Sequence, residues 1–159
     1  MKELYTAPPD VADISSMHSM EKSRILIIGE HDFSVDGLTS MLEAGDSDYL
    51  VTCVEPDKAS VTQPAAATAD ALLIQNEILP EPLEHFVHGL IREYPDARIL
   101  VFGNNMNDDH LYRLVRAGIH GYIKEHMSGN DIKHALDCVL DGNTWIERHI
   151  LERFISTQR

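Results

Sequence analysis

Basic residues are scarce in this chain. Thirteen lysines and arginines stand against 26 acids in 159 residues, a formal net charge of −13. So acidic a surface repels phosphate backbones, which excludes nucleic-acid binding by this stretch itself. Any DNA contact needs a separate basic domain, absent from these residues. Cysteine is scarce too: Cys53 and Cys138 are the only two, and neither sits in a C-x-x-C pair. They read as buried free thiols of a reducing compartment. No apolar run approaches the roughly 20 residues that cross a bilayer. The N-terminus lacks the apolar core of a secretory signal. A cytoplasmic protein is expected. No G-x-S-x-G, Walker-type or G-x-G-x-x-G loop occurs, so enzyme activity is not expected.

What is present is globular: 43% hydrophobic and 25% charged residues, in a length that suits one domain with its own core. Residues 1–22 carry Pro8, Pro9, Ser15 and Ser16 without a period, and read as a mobile leader. Arg24 to Ile28, Tyr49 to Val54, Ala71 to Ile74, Arg98 to Phe102 and Gly121 to Ile123 are short apolar runs of strand length. Helical stripes lie between them, at Val35, Leu38, Met41 and Leu42, then Leu83 to Ile91, Leu111 to Val115, and Ile132 to Leu140. The stretch 56–68 is alanine-rich but holds Pro56 and Pro64, so its helix is expected to be short, displaced or broken.

Alternating strands and helices predict an α/β fold. The expected architecture is a doubly wound, five-stranded parallel sheet of flavodoxin-like order 2-1-3-4-5. Residues 23–143 form that domain. Residues 144–159 add a C-terminal helix and the start of a linker. Ligands of such folds bind beyond the carboxyl ends of the strands. That rule directs attention to Gly29–Asp32, Gln75–Glu77, Gly103–Asn105 and Lys124–His126.

Three segments then carry a resemblance: Tyr94-Pro95-Asp96-Ala97-Arg98-Ile99-Leu100-Val101, Arg116-Ala117-Gly118-Ile119-His120-Gly121-Tyr122, and Asp141-Gly142-Asn143-Thr144-Trp145. Together they resemble the receiver domain of LuxR/NarL-type bacterial response regulators, from about Arg24 to Phe154. The resemblance implies a pocket of five groups. Two acids and an Asp hold Mg²⁺, the Asp accepts phosphate, and a hydroxyl and a Lys hold the phosphoryl oxygens. At those places this chain has Gly29 and Glu30 for the acid pair, Gln75 for the acceptor, Gly103 for the hydroxyl and Glu125 for the Lys. Lys124 stands one residue early, and a one-residue slip along a strand turns a side chain to the opposite face. Pro80 is one place late. An amide is no nucleophile for phosphoryl transfer, so a degenerate, phosphorylation-independent pocket is expected, with no metal, cofactor or catalytic residue.

The other candidates are plainer. His85 and His88, at i and i+3, have a metal-sharing spacing but flank an apolar stripe and belong on its wet face. His31 reads as a loop residue beside the old pocket. Trp145-Ile146-Glu147-Arg148 resembles a segment by which some degenerate receivers bind cyclic di-GMP, through Trp145 and Arg148. Glu147 is unfavourable beside two phosphates, and a Trp at this place also serves to cap the core.

The function expected is therefore that of a pseudo-receiver in a two-component transcription regulator, acting by homodimerisation or contact with another regulatory protein. It would reach DNA through a helix-turn-helix domain beyond Arg159. A stand-alone adaptor or sequestering protein is the alternative. Candidate dimer faces are the helix at Asp108 to Ala117 with the strand at Gly121 to Ile123, or the last two helices. An exposed Tyr112 would serve as an anchor.

Overall fold

Side chains alternate between the two faces of every strand, and here both faces are apolar. In a computed structural model, which describes residues 22–30, 32–45, 47–56, 68–76, 82–104, 106–124 and 126–157, five strands form one parallel sheet in the order β2-β1-β3-β4-β5. They are β1 (Ser23–Ile28), β2 (Tyr49–Val54), β3 (Ala71–Gln75), β4 (Arg98–Gly103) and β5 (Gly121–Lys124). The helices are α1 (Phe33–Glu43), α2 (Leu83–Glu93), α3 (Asp108–Ala117), α4 (Gly129–Leu140) and α5 (Arg148–Thr157). This is the doubly wound order that the sequence predicts, with the added C-terminal helix. Residues 1–21 of the expected leader, residues 57–67 of the stretch where a short, displaced or broken helix is expected, and His31, Glu77, Pro80 and Glu125 lie outside the described residues.

Leu26, Ile28, Leu72, Ile74, Ile99 and Val101 pack with Val87 and Leu90 of α2 and Leu111 and Leu114 of α3. The alternate residues Ile25, Ile27, Leu73, Leu100 and Phe102 pack with Val35 and Leu42 of α1 and Leu136 and Val139 of α4. Burying each such Leu or Ile side chain contributes roughly 1.5–3 kcal/mol, which fixes strand register because a slip of one residue would exchange the two faces. By the same alternation Gln75 continues the row of Ala71 and Leu73, on the α1/α4 side.

Local chemistry sets the helix ends. Asp32, Asn107 and Ser128 cap α1, α3 and α4 by accepting from Val35 N, His110 N and Asp131 N at 3.0, 2.7 and 3.1 Å. Helix α3 stops at Gly118, whose φ of +118° suits glycine and whose absent Cβ would collide with Ile91 Cδ1. Gly37 is different. It sits inside α1 without any contact that demands a glycine, where glycine costs about 1 kcal/mol against alanine.

The C-terminal segment folds back. The backbone of Trp145 bridges β5: its N–H donates to His120 O at 2.9 Å, and Tyr122 N–H donates to its carbonyl at 3.0 Å. Three residues later, at Arg148, α5 begins and lies along α3. Tyr112 Oη and Thr157 Oγ1 are 2.6 Å apart. The Arg153 guanidinium stacks 4.0 Å from the centroid of the Tyr112 ring and reaches Asp109 at 2.8 Å. His149 meets Asp108 at 3.1 Å. Tyr112 is therefore only 7% exposed, not the exposed anchor expected, because α5 covers it. The cysteines are also corrected: Cys53 and Cys138 are half-buried, not buried.

Candidate functional site

At the carboxyl end of β3 the chain presents two buried amides, Gln75 and Asn76. Gln75 bends back over β1. Its Oε1 accepts from Glu30 N–H at 2.9 Å, and its Nε2 donates to Asp32 Oδ2 at 2.9 Å. The other oxygen of Asp32 is the α1 cap, accepting from Val35 N–H at 3.0 Å. These donors, Val35 N–H first and Gln75 second, hold the Asp32 carboxyl below its usual pKa. Gly29 lies beneath the amide. A Cβ there would stand 2.8 Å from Gln75 Oε1 and 3.1 Å from both Gln75 Cβ and Val35 Cγ2. The glycine at 29 and the glutamine at 75 are thus sterically paired.

Asn76 ties β3 to the next loop. Its backbone N–H donates to Phe102 O at 2.8 Å, and its Nδ2 donates to Asn104 O at 2.5 Å. Its Oδ1 lies 3.3 Å from His110 Nε2. Gly103 has a φ of +128°, and a Cβ there would press on Asn76 Cβ at 3.3 Å. Its carbonyl accepts from Tyr122 Oη–H at 2.9 Å. Hydrogen bonds therefore link four strand ends in a row, from the β1 loop through Gln75, Asn76 and Gly103 to Tyr122.

Gly29, Glu30, Gln75 and Gly103 come together as expected. Glu30 is exposed, and its part in the site is its backbone N–H. Lys124 shares its strand face with Tyr122, on the α2/α3 side, and its Nζ pairs with Glu147 Oε1 at 3.2 Å. Glu125 lies outside the described residues. Trp145 lines a cavity of about 500 Å³ together with Lys124 and Glu147. Arg148 is exposed at the start of α5 and does not line that cavity. His85 and His88 are exposed, on the wet face of α2. Asp32 and Asn76 fall within the strand-end stretches singled out in the sequence, but the sequence assigned neither of them a role. An Asp three residues before the apolar Val35 is a helix-cap signal that could have found the first. Asn76 carries no such signal.

A second cavity, of about 340 Å³, lies between α1, α4 and the ends of β3, β4 and β5, with Gly37, Met41, Phe102, Ile123, Met127 and Ile132 among its walls. Among the described residues no cluster of three or more His, Cys, Asp or Glu side chains is placed to hold a metal. No helix among them is long and apolar enough to cross a membrane.

Comparison with known proteins gives this geometry relatives. The chain is 25% identical over 144 residues to the transcriptional regulatory protein ComA of Bacillus subtilis, covering 86% of this chain and 64% of that protein. It is 23% identical over 132 residues to the response regulator GacA of Pseudomonas protegens, covering 83% and 62%. The isolated REC domain of RcsB from Salmonella enterica serovar Typhimurium superposes with a TM-score of 0.70 at 17% identity, covering 85% of this chain and 99% of that one. A LuxR-family two-component response regulator from Aurantimonas superposes with a TM-score of 0.67 at 18% identity, covering 86% and 98%. Its homologues are LuxR/NarL-type response regulators, and its fold is that of their receiver domains. No family model matches the chain. The receiver-domain structures cover 85–86% of the chain, while the chain spans under two thirds of the curated relatives it matches.

Proposed function

We propose that this receiver domain controls transcription without being phosphorylated, through contacts with a second copy or another regulatory protein, and reaches DNA through a domain outside this chain. The observation that carries the reading is the Gln75 amide. It fills the position that the resemblance assigns to the phosphate acceptor. Its hydrogen bonds to Glu30 N–H and Asp32 hold together the two loops that a phosphoryl group and its metal would otherwise bridge.

The residues present do not fit the Mg²⁺ ion that the resemblance implies. Magnesium demands near-octahedral oxygen ligation. Position 29 supplies no carboxylate, and each oxygen of Asp32 already accepts a hydrogen bond, from Val35 N–H and from the amide hydrogen of Gln75. The ammonium of Lys124 is engaged with Glu147. The nucleotide reading of Trp145 and Arg148 has less support, since only Trp145 faces the cavity and Glu147 shares it.

The test is incubation with acetyl phosphate and Mg²⁺ followed by intact-mass measurement. An unchanged mass is expected. An acid-labile phosphate on Glu30 or Glu77 would refute the reading. Dimerisation is checked by light scattering, where a strict monomer at high concentration counts against it.

A further inference from the structure

The joint between α3 and α5 differs in kind from the contacts inside the sheet. Ile150, 1% exposed, and the half-buried Phe154 join the apolar cluster on the α2/α3 side. Beside them the two helices carry opposite chemistry: Asp108 and Asp109 on α3 face His149 and Arg153 on α5. The ring of Tyr112 lies under the Arg153 guanidinium, and its hydroxyl meets Thr157. The α5 positions in use are 149, 150, 153, 154 and 157, which fall on one stripe of a helix. That single stripe makes the joint, and α3 is the main packing partner of α5.

Such a seat selects its occupant. It takes an amphipathic helix that sets a basic side chain over an aromatic ring, with apolar side chains alongside. It does not stay bare, because the departure of α5 would uncover Ile150, Phe154 and Tyr112 together. The best-matched cover is the same helix from a second copy, which restores every contact unchanged. Contacts broken then equal contacts made, and protein concentration decides between the two pairings. Ile146 and Glu147 alone connect the strand-bridging Trp145 to α5, and a short connection invites such exchange.

We propose that two copies of this chain join by exchanging α5, each helix seated on the α3 of the other. The proposal rests on the reading above that the domain acts by contact with a second copy, and it names the surface.

Reseating within one copy competes with exchange, so the test makes the in-chain pairing unfavourable. In full-chain Asp109→Arg, seat and arm are both basic at this contact. In Arg153→Asp both are acidic. Exchange between the two variants sets opposite charges together at both seats, which neither variant achieves alone. The variants are compared singly and in equimolar mixture at about 0.15 M salt, where charges are screened beyond about 8 Å. By analytical ultracentrifugation, dimerisation of the mixture is expected to be tighter by about tenfold or more than that of either variant. Amide exchange in α5, faster in each variant than in the parent, is expected to slow again on mixing. Should either variant not fold, Asp108→Lys and His149→Glu make the same comparison at the neighbouring contact. The proposal is overturned if mixing leaves mass and amide exchange as the sum of the separate variants. It is also overturned if parent, variants and mixture all dimerise alike. That result would move the dimer to another face and leave the reading of contact with a second copy standing, whereas a parent and a mixture that both stay monomeric would sink both.

Discussion

Gln75 Nε2 and Asp32 Oδ2 lie 2.9 Å apart, joining the end of β3 to the cap of α1. The contact needs a donor at 75 and a carboxylate at 32. Gln75→Glu keeps the shape and removes the donor, so two carboxylates would face each other across a hydrogen-bond distance. At pH 7 it is expected to destabilise the domain by about 1–3 kcal/mol. Protonation of the new acid restores a donor, so the loss should shrink as the pH falls toward 4.5 or so. Urea denaturation at the two pH values measures both. A loss equal at both would contradict this account.

Because Gly29 and Gln75 are sterically paired, an acid cannot simply be restored at position 29. Gly29→Ala is expected to cost about 1–3 kcal/mol by overpacking against Gln75 Oε1 and Val35 Cγ2. In a Gln75→Ala background the 2.8 Å clash with Oε1 disappears, and the same substitution should cost about 1 kcal/mol less. A double-mutant cycle by chemical denaturation gives the coupling. Strict additivity would mean the two positions are independent.

The grip of α5 on α3 predicts a local effect. Tyr112→Phe removes the hydroxyl that meets Thr157 at 2.6 Å. Amide exchange in α5 should speed up by about five- to tenfold, with the sheet unaffected. Salt should speed it further, since Asp109–Arg153 is an exposed ion pair. Unchanged exchange in the variant would show that the hydroxyl contributes nothing.

His120 supplies a pH dependence. Burial, then the nearby Arg98 charge, lowers its pKa below the usual 6.5. Its Nδ1 lies 3.0 Å from Ile99 N, which donates to it and so requires it unprotonated. Unfolding frees the imidazole to take a proton at higher pH. Its contribution to stability is therefore full above about pH 6.5 and lost as pH falls through the lowered folded value. His120→Asn, which offers an amide oxygen and does not titrate, should flatten the stability profile between roughly pH 7 and 5. Parallel profiles for the two proteins would exclude His120 as the source.

The fold was legible in the sequence because each strand is apolar on both faces and each helix carries one apolar stripe. The two clusters on either side of the sheet are the physical form of that pattern. The gathering of Gly29, Glu30, Gln75 and Gly103 was legible for a related reason: loops at the carboxyl ends of parallel strands converge. Other features depend on contacts distant in sequence. Tyr112 reads as exposed when α3 is considered by itself, and only the return of Thr157 and Arg153, 45 and 41 residues away in sequence, buries it. Asp32 looks like an ordinary cap until Gln75 crosses to it from β3. The cavity beside Gly37 follows from the spacing of two helices, which no run of residues records.

Trp145 has a mechanical consequence. Its backbone is pinned to β5 on both sides, and only Ile146 and Glu147 separate it from α5. Two residues span about 7 Å at full extension, and α5, ten residues long, measures about 15 Å. If its contacts with α3 open, the helix cannot drift away. It swings about a fixed pivot within a cone of that radius and stays near its seat. Closure is then an intramolecular event at high effective concentration, so weak, exposed contacts suffice to keep the arm docked, and a small perturbation suffices to free it.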